Sequence, residues 1–137
     1  KIRQILSDKR DILLDTSQND FLKTYEKNPE KLNLFIKEFI GGLNSEMPLA
    51  CVSHINKAYL VLVELLQLQK IDEVGADQIV PFALYATVLS NPQTIFSTFK
   101  YISSYVQTIP GLLDPPEEYS MTQFSSTYHY LEEKMEQ

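Results

Sequence analysis

The sequence has little of what several large classes of protein require. It contains one cysteine, Cys51, which cannot form an intramolecular disulfide, so nothing indicates a disulfide scaffold or secretion. Its twelve Lys and Arg residues are spread along the chain and the net charge is −6, so nucleic acid is not an expected partner. The longest apolar runs, 59–63 and 79–89, are shorter than the ~20 residues that a membrane span needs. We therefore expect a soluble, cytoplasmic domain with a buried, inert thiol.

Motifs of covalent catalysis and metal binding are also missing. The sequence has no Gly-rich phosphate loop, paired-His helix motif, cysteine cluster or nucleophile elbow. His54 and His129 lack a third ligand at a suitable spacing, so we predict no metal site and no cofactor. An enzyme that forms or breaks covalent bonds is therefore not expected.

The length and composition favour a single domain. The chain has 137 residues, 44% of them hydrophobic, and a mean hydropathy of −0.17, which is enough apolar material for one packed core. No internal repeat, low-complexity tract or change of composition divides it, so we predict one domain over 1–137. Lys1 is neither a start methionine nor the beginning of a signal peptide, and we expect the sequence to be a fragment of a longer protein.

The spacing of apolar residues predicts helices in the first half of the chain. In PEKLNLFIKEFIGG they recur every three or four residues, with Pro29 in the first turn and Gly41-Gly42 predicted to end the helix. Two shorter helices are predicted upstream, around 2–13 and 21–25. The segment LACVSHINKAYLVLVELLQLQK carries a broad apolar stripe, so its helix should lie in the core.

Three more helices are predicted in the second half. QIVPFALYATVL is apolar on nearly every side, which is typical of a central buried helix, and Pro81 is tolerable there only within the first turn or so. Asn91 is predicted to cap the next helix, with Pro92 as its first residue. A proline-rich, irregular loop at 108–116 then precedes a last helix with acidic residues at its start. The predicted fold is all-α, a compact bundle of about six or seven helices without strands.

One carboxylate stands at the start of the predicted buried helix. Asp77 in GADQIVP precedes an almost uninterrupted apolar run, so it must either cap that helix or be held out for a partner. Aspartate is among the best N-cap residues. Position and composition alone therefore favour capping.

The motifs around Asp77 change that balance. GADQIVP, LSNPQ and KYISSY, followed by Tyr119-Ser-Met-Thr122, resemble in order the motifs of the VPS-nine (vacuolar protein sorting nine) exchange-factor domain. We identify 47–137 as a VPS-nine-like core, with 1–46 as supporting helices. The sequence departs from the family at Gln78, where a second acidic residue is usual, in the proline-rich stretch before Glu117-Glu118, and at 125–127, where small apolar residues are usual.

The resemblance implies a guanine-nucleotide exchange factor for early-endosomal, Rab-five group GTPases. Such a domain is expected to act as a monomer in the cytoplasm at early endosomes, on GDP-bound or nucleotide-free Rab. Asp77 matches the acidic finger that the family inserts into the nucleotide site, whereas Tyr119 and Thr122 match residues of the GTPase-binding groove. The full set that the resemblance assigns to partner binding is Pro81, Tyr85, Asn91, Tyr119 and Thr122.

The sequence is also compatible with two other functions. The departures from the family pattern suit an exchange-inactive module that binds a Rab or another trafficking protein through the same groove. A plain helical scaffold, with Asp77 as a cap, would contact no GTPase.

Overall fold

A computed structural model describes residues 24–68, 76–90 and 94–135, and over these residues the protein is helical without any strand. Residues 24–27 form a helical segment. The longer helices are α1 (Pro29–Leu43), α2 (Pro48–Leu68), α3 (Ala76–Ser90), α4 (Ile95–Thr108) and α5 (Pro115–Met135). The predicted all-α class is confirmed, whereas the helix predicted around 2–13 lies outside the described residues.

Helix α2 forms the centre of the bundle and packs against α1, α3, α4 and α5. Its most apolar 18-residue window has a mean hydropathy of 1.4, which would by itself suffice for a membrane span, but half of that window is buried by the other helices. This is the pattern of the core helix predicted from the sequence. The buried residues of α2 are Cys51, Val52, Ile55, Ala58, Tyr59, Val61, Leu62, Leu65 and Leu66.

Aromatic rings join the last two helices to the first two. The ring of Phe124 on α5 meets Phe39, Tyr59 and Phe99 edge-on, at centroid distances of 5.7, 6.4 and 5.5 Å. Phe99 on α4 also stacks on Tyr128, with the centroids 3.8 Å apart. Edge-to-face and stacked pairs each add to the free energy gained from area burial, so this cluster fixes α5 firmly against the bundle.

The predicted end of α1 at Gly41-Gly42 is wrong. Both glycines lie inside the helix, which continues to Leu43, and the backbone N–H of Asn44 still donates to the Ile40 carbonyl at 3.0 Å. Gly42 is required for another reason, because a Cβ there would lie 2.9 Å from the Cβ of His54 on α2. The glycine permits close contact between two helices and does not end one.

The predicted start of α4 is also wrong, while the irregular loop after it is confirmed. Helix α4 begins at Ile95 with Thr94 as its N-cap, so Asn91 does not cap it, and 91–93 lie outside the described residues. The Thr94 carbonyl receives the first helical bond, from the N–H of Thr98 at 2.9 Å. Residues 109–114 are non-helical, and Gly111 there has a φ of 74°, a conformation that glycine adopts without steric cost.

Candidate functional site

The first turn of α3 carries Asp77. The helix begins at Ala76, so Asp77 is its second residue and lies inside the helix rather than at the N-cap position that precedes it. The capping interpretation is therefore wrong. A carboxylate in a first turn still interacts favourably with the helix dipole, by about 0.3–1 kcal/mol at an exposed site. Its first-turn position thus gives Asp77 a local role other than capping.

Pro81 weakens the turn that presents Asp77. It is the sixth residue of α3 and lies inside the helix, not in the first turn as predicted. Proline has no N–H, so the regular helix bond from residue 81 to the carbonyl of Asp77 cannot form. The start of α3 is consequently held by one backbone hydrogen bond fewer than a regular helix.

A cavity of about 130 Å³ lies beside this turn, between α2, α3 and α5. Ile79, two residues after Asp77, contributes to its wall, and the half-exposed side chains of Leu60 and Tyr119 form its rim. The complete lining is Asn56, Tyr59, Leu60, Val63, Ile79, Pro116, Tyr119, Ser120 and Gln123. The cavity is therefore an apolar recess bounded on one side by Ile79 of α3.

A capping box fixes the start of α5 and with it Tyr119. The backbone N–H of Glu117 donates to Asp114 Oδ1 at 2.9 Å, and the N–H of Asp114 donates to Glu117 Oε1 at 3.2 Å. This reciprocal pair satisfies two N–H groups that a helix start would leave open. It holds the turn that contains Pro116 and Tyr119 at the edge of the cavity. The sequence DPPE carried the signal for this cap, but we did not predict it.

Two polar links below the cavity attach α5 to α2. Ser120 Oγ donates to Asn56 Oδ1 at 2.6 Å. The Tyr59 hydroxyl donates to Thr127 Oγ1 at 3.1 Å, and Thr127 Oγ1 donates to the carbonyl of Gln123 at 2.8 Å. Burial raises the pKa of Tyr59 above its ordinary value, so the hydroxyl keeps the proton that it donates. These links fix the two helices that form the cavity's opposite walls.

The predicted partner-binding residues are distributed unevenly around this site. Tyr119 lies at the cavity rim, and its hydroxyl makes no hydrogen bond with the described part of the chain. Thr122 is exposed on α5, does not line the cavity and donates to the carbonyl of Glu118 at 2.9 Å. Pro81 is half-buried outside the lining. Tyr85 belongs to α3, but its side chain and the whole of Asn91 lie outside the description.

The two histidines take part in local contacts with carboxylates. His54 Nδ1 lies 2.9 Å from Glu38 Oε2, linking α2 to α1, and His129 Nδ1 lies 3.8 Å from Glu132 Oε1 on the same helix. Among the described residues, no three His, Cys, Asp or Glu side chains come together as a metal site would require.

Several lining residues were not predicted from the sequence. Asn56 and Leu60 follow the i, i+4 spacing on the outer side of α2, and Gln123 lies one turn after Tyr119 on α5. None belongs to a motif, because an isolated polar or apolar residue on a long helix has no distinctive spacing. Only the packing of three helices shows that these residues share one recess.

Comparison with known proteins gives one match. A family model described as the vacuolar sorting protein 9 (VPS9) domain matches residues 33–136. The matched region begins within α1 and includes α2 to α5. Comparison with curated proteins and with solved structures gives no significant match.

Proposed function

This chain belongs to the VPS9 domain family, and we propose that it promotes GDP release from a Rab GTPase of the Rab-five group. The family match confirms the resemblance found in the sequence, and VPS9 domains are guanine-nucleotide exchange domains that act on Rab GTPases. Exchange requires no covalent chemistry by the domain itself. The proposal includes action in the cytoplasm at early endosomes, with the chain as a monomer.

One observation supports a role for the start of α3 in exchange. The family match spans the helix in which Asp77 is the second residue, and Ile79 of the same helix lines a cavity rimmed by Tyr119 and Leu60. We propose that Asp77 is the acidic finger and that the apolar recess bounded by α3 binds the GTPase surface. The missing hydrogen bond from residue 81 to the Asp77 carbonyl gives this turn more freedom to adjust to the partner.

A carboxylate at the nucleotide site would act by competition. GTPases hold GDP through the backbone amides of the phosphate loop, its lysine and Mg²⁺. The Asp77 carboxylate can offer the lysine a substitute for a phosphate oxygen, and its negative charge repels the phosphate oxygens that coordinate Mg²⁺. Both effects raise the rate at which nucleotide leaves.

Releasing a tightly bound nucleotide takes more free energy than one contact can supply. A nucleotide bound with picomolar affinity is held by about 16 kcal/mol at standard state. The remaining free energy must come from binding the nucleotide-free GTPase over an interface of about 1,600 Å² in total. The cavity and its rim therefore contribute to the same reaction as the finger, by stabilising the nucleotide-free complex.

Release of a fluorescent GDP analogue from a panel of Rab GTPases tests the proposal. We expect the native domain to accelerate release from Rab-five group members and Asp77→Asn, which keeps the shape but removes the charge, to lose most of the acceleration. Glu133→Gln makes the same change at an exposed position on α5 and should leave the rate unchanged.

The outcomes separate the proposal from its alternative. Acceleration by Asp77→Asn equal to that of the native domain would exclude the acidic finger. Stable binding of nucleotide-free Rab without any acceleration would instead identify the exchange-inactive binding module.

A further inference from the structure

A second cavity lies at the corner where α4 passes into α5. Its volume is about 190 Å³, and it is lined by Val106, residues 109–113 and Glu118. We call this cavity the corner pocket. Val106 and Leu113 pack against the core, whereas Ile109 is 43% exposed. Apolar cavities of ~150 Å³ hold a benzene ring in other proteins, so the corner pocket has room for one large apolar side chain.

A β-turn gives the corner pocket a defined wall. The backbone N–H of Leu112 donates to the Ile109 carbonyl at 3.3 Å and closes the turn. Pro110 occupies the second position of this turn, and Gly111 in the third has a φ of 74°, which is typical of a type II turn. The capping box of α5 fixes the chain directly after it. The pocket wall is therefore formed before any partner binds, which lowers the entropy that binding costs.

The rim of the corner pocket is acidic. Glu118 is exposed, and its backbone N–H donates to the carbonyl of Asp114 one turn earlier at 2.9 Å. The carboxylate of Glu118 makes no hydrogen bond or ion pair with the described residues. The sequence has no Lys or Arg between 101 and 131, so no such cation within this stretch offsets the charge. A carboxylate on an apolar pocket favours a ligand that carries a positive charge next to its apolar group.

The corner pocket and the cavity rimmed by Tyr119 lie on different sides of α5. Glu118 lines the first and Tyr119 lines the second, and the two cavities share no lining residue. Side chains of consecutive helical residues point about 100° apart, because a turn contains 3.6 residues. A ligand in the corner pocket would therefore leave the Tyr119 side of α5 accessible to a GTPase.

We propose that the corner pocket is a docking site for a protein segment in which a leucine-sized apolar side chain is flanked by Lys or Arg. The apolar side chain fills the pocket, and a neighbouring cation approaches the Glu118 carboxylate. The same carboxylate repels anionic lipid and nucleic acid, and a second copy of this chain, with its net charge of −6, is disfavoured for the same reason. The inference goes beyond the proposed function and does not depend on it.

NMR titration of the free chain with three peptides tests the site. Acetyl-Lys-Lys-Leu-Lys-Lys-amide is expected to shift the backbone amide signals of Gly111 and Leu112. Matched peptides with serine in place of leucine, or with glutamate in place of every lysine, should bind at least about tenfold more weakly. Equal affinity of the glutamate peptide, or no saturation with the lysine–leucine peptide by about 10 mM, would overturn the inference.

Two variants separate the charge from the apolar wall. Glu118→Gln keeps the shape and should weaken binding of the lysine–leucine peptide about two- to fivefold, and Ile109→Ser should weaken it through the lost apolar contact. Both residues are exposed, so both variants should keep the native melting temperature. Glu133→Gln makes the same charge change near the other end of α5 and should bind as the native chain does. Native affinity in Glu118→Gln would overturn the proposed recognition.

Other occupants give different results. Amide shifts at Gly111 that depend on chain concentration without peptide would assign the pocket to a second copy, and cosedimentation with phosphatidylcholine vesicles would assign it to a membrane surface. Glu118→Gln should leave any acceleration of GDP release unchanged, and its loss would assign the pocket to the GTPase. Each of these three outcomes would overturn the inference. Failure of the native domain to activate any Rab would refute the proposed function alone, because peptide binding is measured without a GTPase.

Discussion

Tyr25 attaches the segment before α1 to the helix that carries Asp77. Its hydroxyl donates to the backbone carbonyl of Phe82 at 2.5 Å, while the two rings stack with their centroids 4.5 Å apart. Tyr25 is buried, and 57 residues separate it from Phe82 in sequence. A residue outside the region of family resemblance thus helps to hold α3 in position beside the cavity.

Tyr25→Phe is expected to lower the free energy of unfolding by about 1 kcal/mol. The substitution keeps the stacked ring and removes only the hydroxyl, so the loss reports the hydrogen bond to Phe82. Urea denaturation measures it. Tyr101→Phe is the control, since that tyrosine is half-exposed and its bond to the Glu46 carbonyl is long, at 3.4 Å. A loss equal to that of the control would show that the buried bond contributes nothing.

Adjacent glycines in α1 should respond to alanine in opposite directions. Gly42→Ala should destabilise the protein by about 1–3 kcal/mol, because the new methyl group collides with His54 on α2. A Cβ at Gly41 meets no atom of another residue within 4 Å. Gly41→Ala should therefore stabilise the exposed helix by up to about 1 kcal/mol. Thermal unfolding measures both effects. Equal changes in melting temperature for the two variants would contradict the close α1–α2 contact.

Asp114→Ala should remove the capping box of α5 and cost about 1 kcal/mol of stability. Asp114→Asn should keep nearly all of the native stability, since asparagine is an equally good N-cap. Hydrogen exchange of the Glu117 and Glu118 amides should increase in the alanine variant alone. Unchanged exchange there would show that the two prolines suffice to hold the first turn.

Stability should fall as the pH rises above about 10, the ordinary pKa of tyrosine. Burial raises the pKa values of Tyr25, Tyr59 and Tyr128, so the folded state keeps three protons that the unfolded state releases. Because the unfolded state then binds fewer protons, the free energy of unfolding decreases by up to about 1.4 kcal/mol per pH unit for each tyrosine. Below pH 10 the same contribution is fully present.

Denaturation curves between pH 8 and 12 check this dependence. The double variant Tyr25→Phe, Tyr59→Phe should lose most of the decrease above pH 10. Burial also raises the pKa of the Cys51 thiol, so a smaller decrease should begin nearer pH 8.5 and disappear in Cys51→Ala. A decrease above pH 10 that is the same in the double variant would mean that other groups dominate alkaline unfolding.

Sequence periodicity was sufficient to predict most of the helices. The stripe of α2 and the continuous apolar run of α3 are local patterns. Every residue of the α2 stripe is buried, and most of the described apolar side chains of α3 are buried too, while Val80, Pro81 and Leu89 are half-buried. Pro29 begins α1 because a proline in the first turn loses no helix bond. The motifs around Asp77 and Tyr119 identified the family for the same reason, since a motif is a short stretch with a fixed spacing.

Two errors concern the residues at which helices begin or end. Gly42 resembles a helix stop, but the close approach of α2 explains it, since a Cβ at Gly42 would lie 2.9 Å from the Cβ of His54. Asn91 resembles a cap, yet the hydrogen bonds that begin α4 start from Thr94. A helix propensity describes what a residue favours in isolation. At Gly42, the packing of α1 against α2 outweighed that propensity.

The sequence by itself determined the helical class, the core faces of the helices and the family, because each of these depends on neighbours within a few residues. The cavity and the hydrogen bonds between α2 and α5 depended on the tertiary structure alone. Ser120 and Asn56 are 64 residues apart, and Gln123 became an unpaired acceptor only when α2 and α5 closed around it. Burial and hydrogen-bond pairing are properties of the assembled helices, so no local pattern contained them.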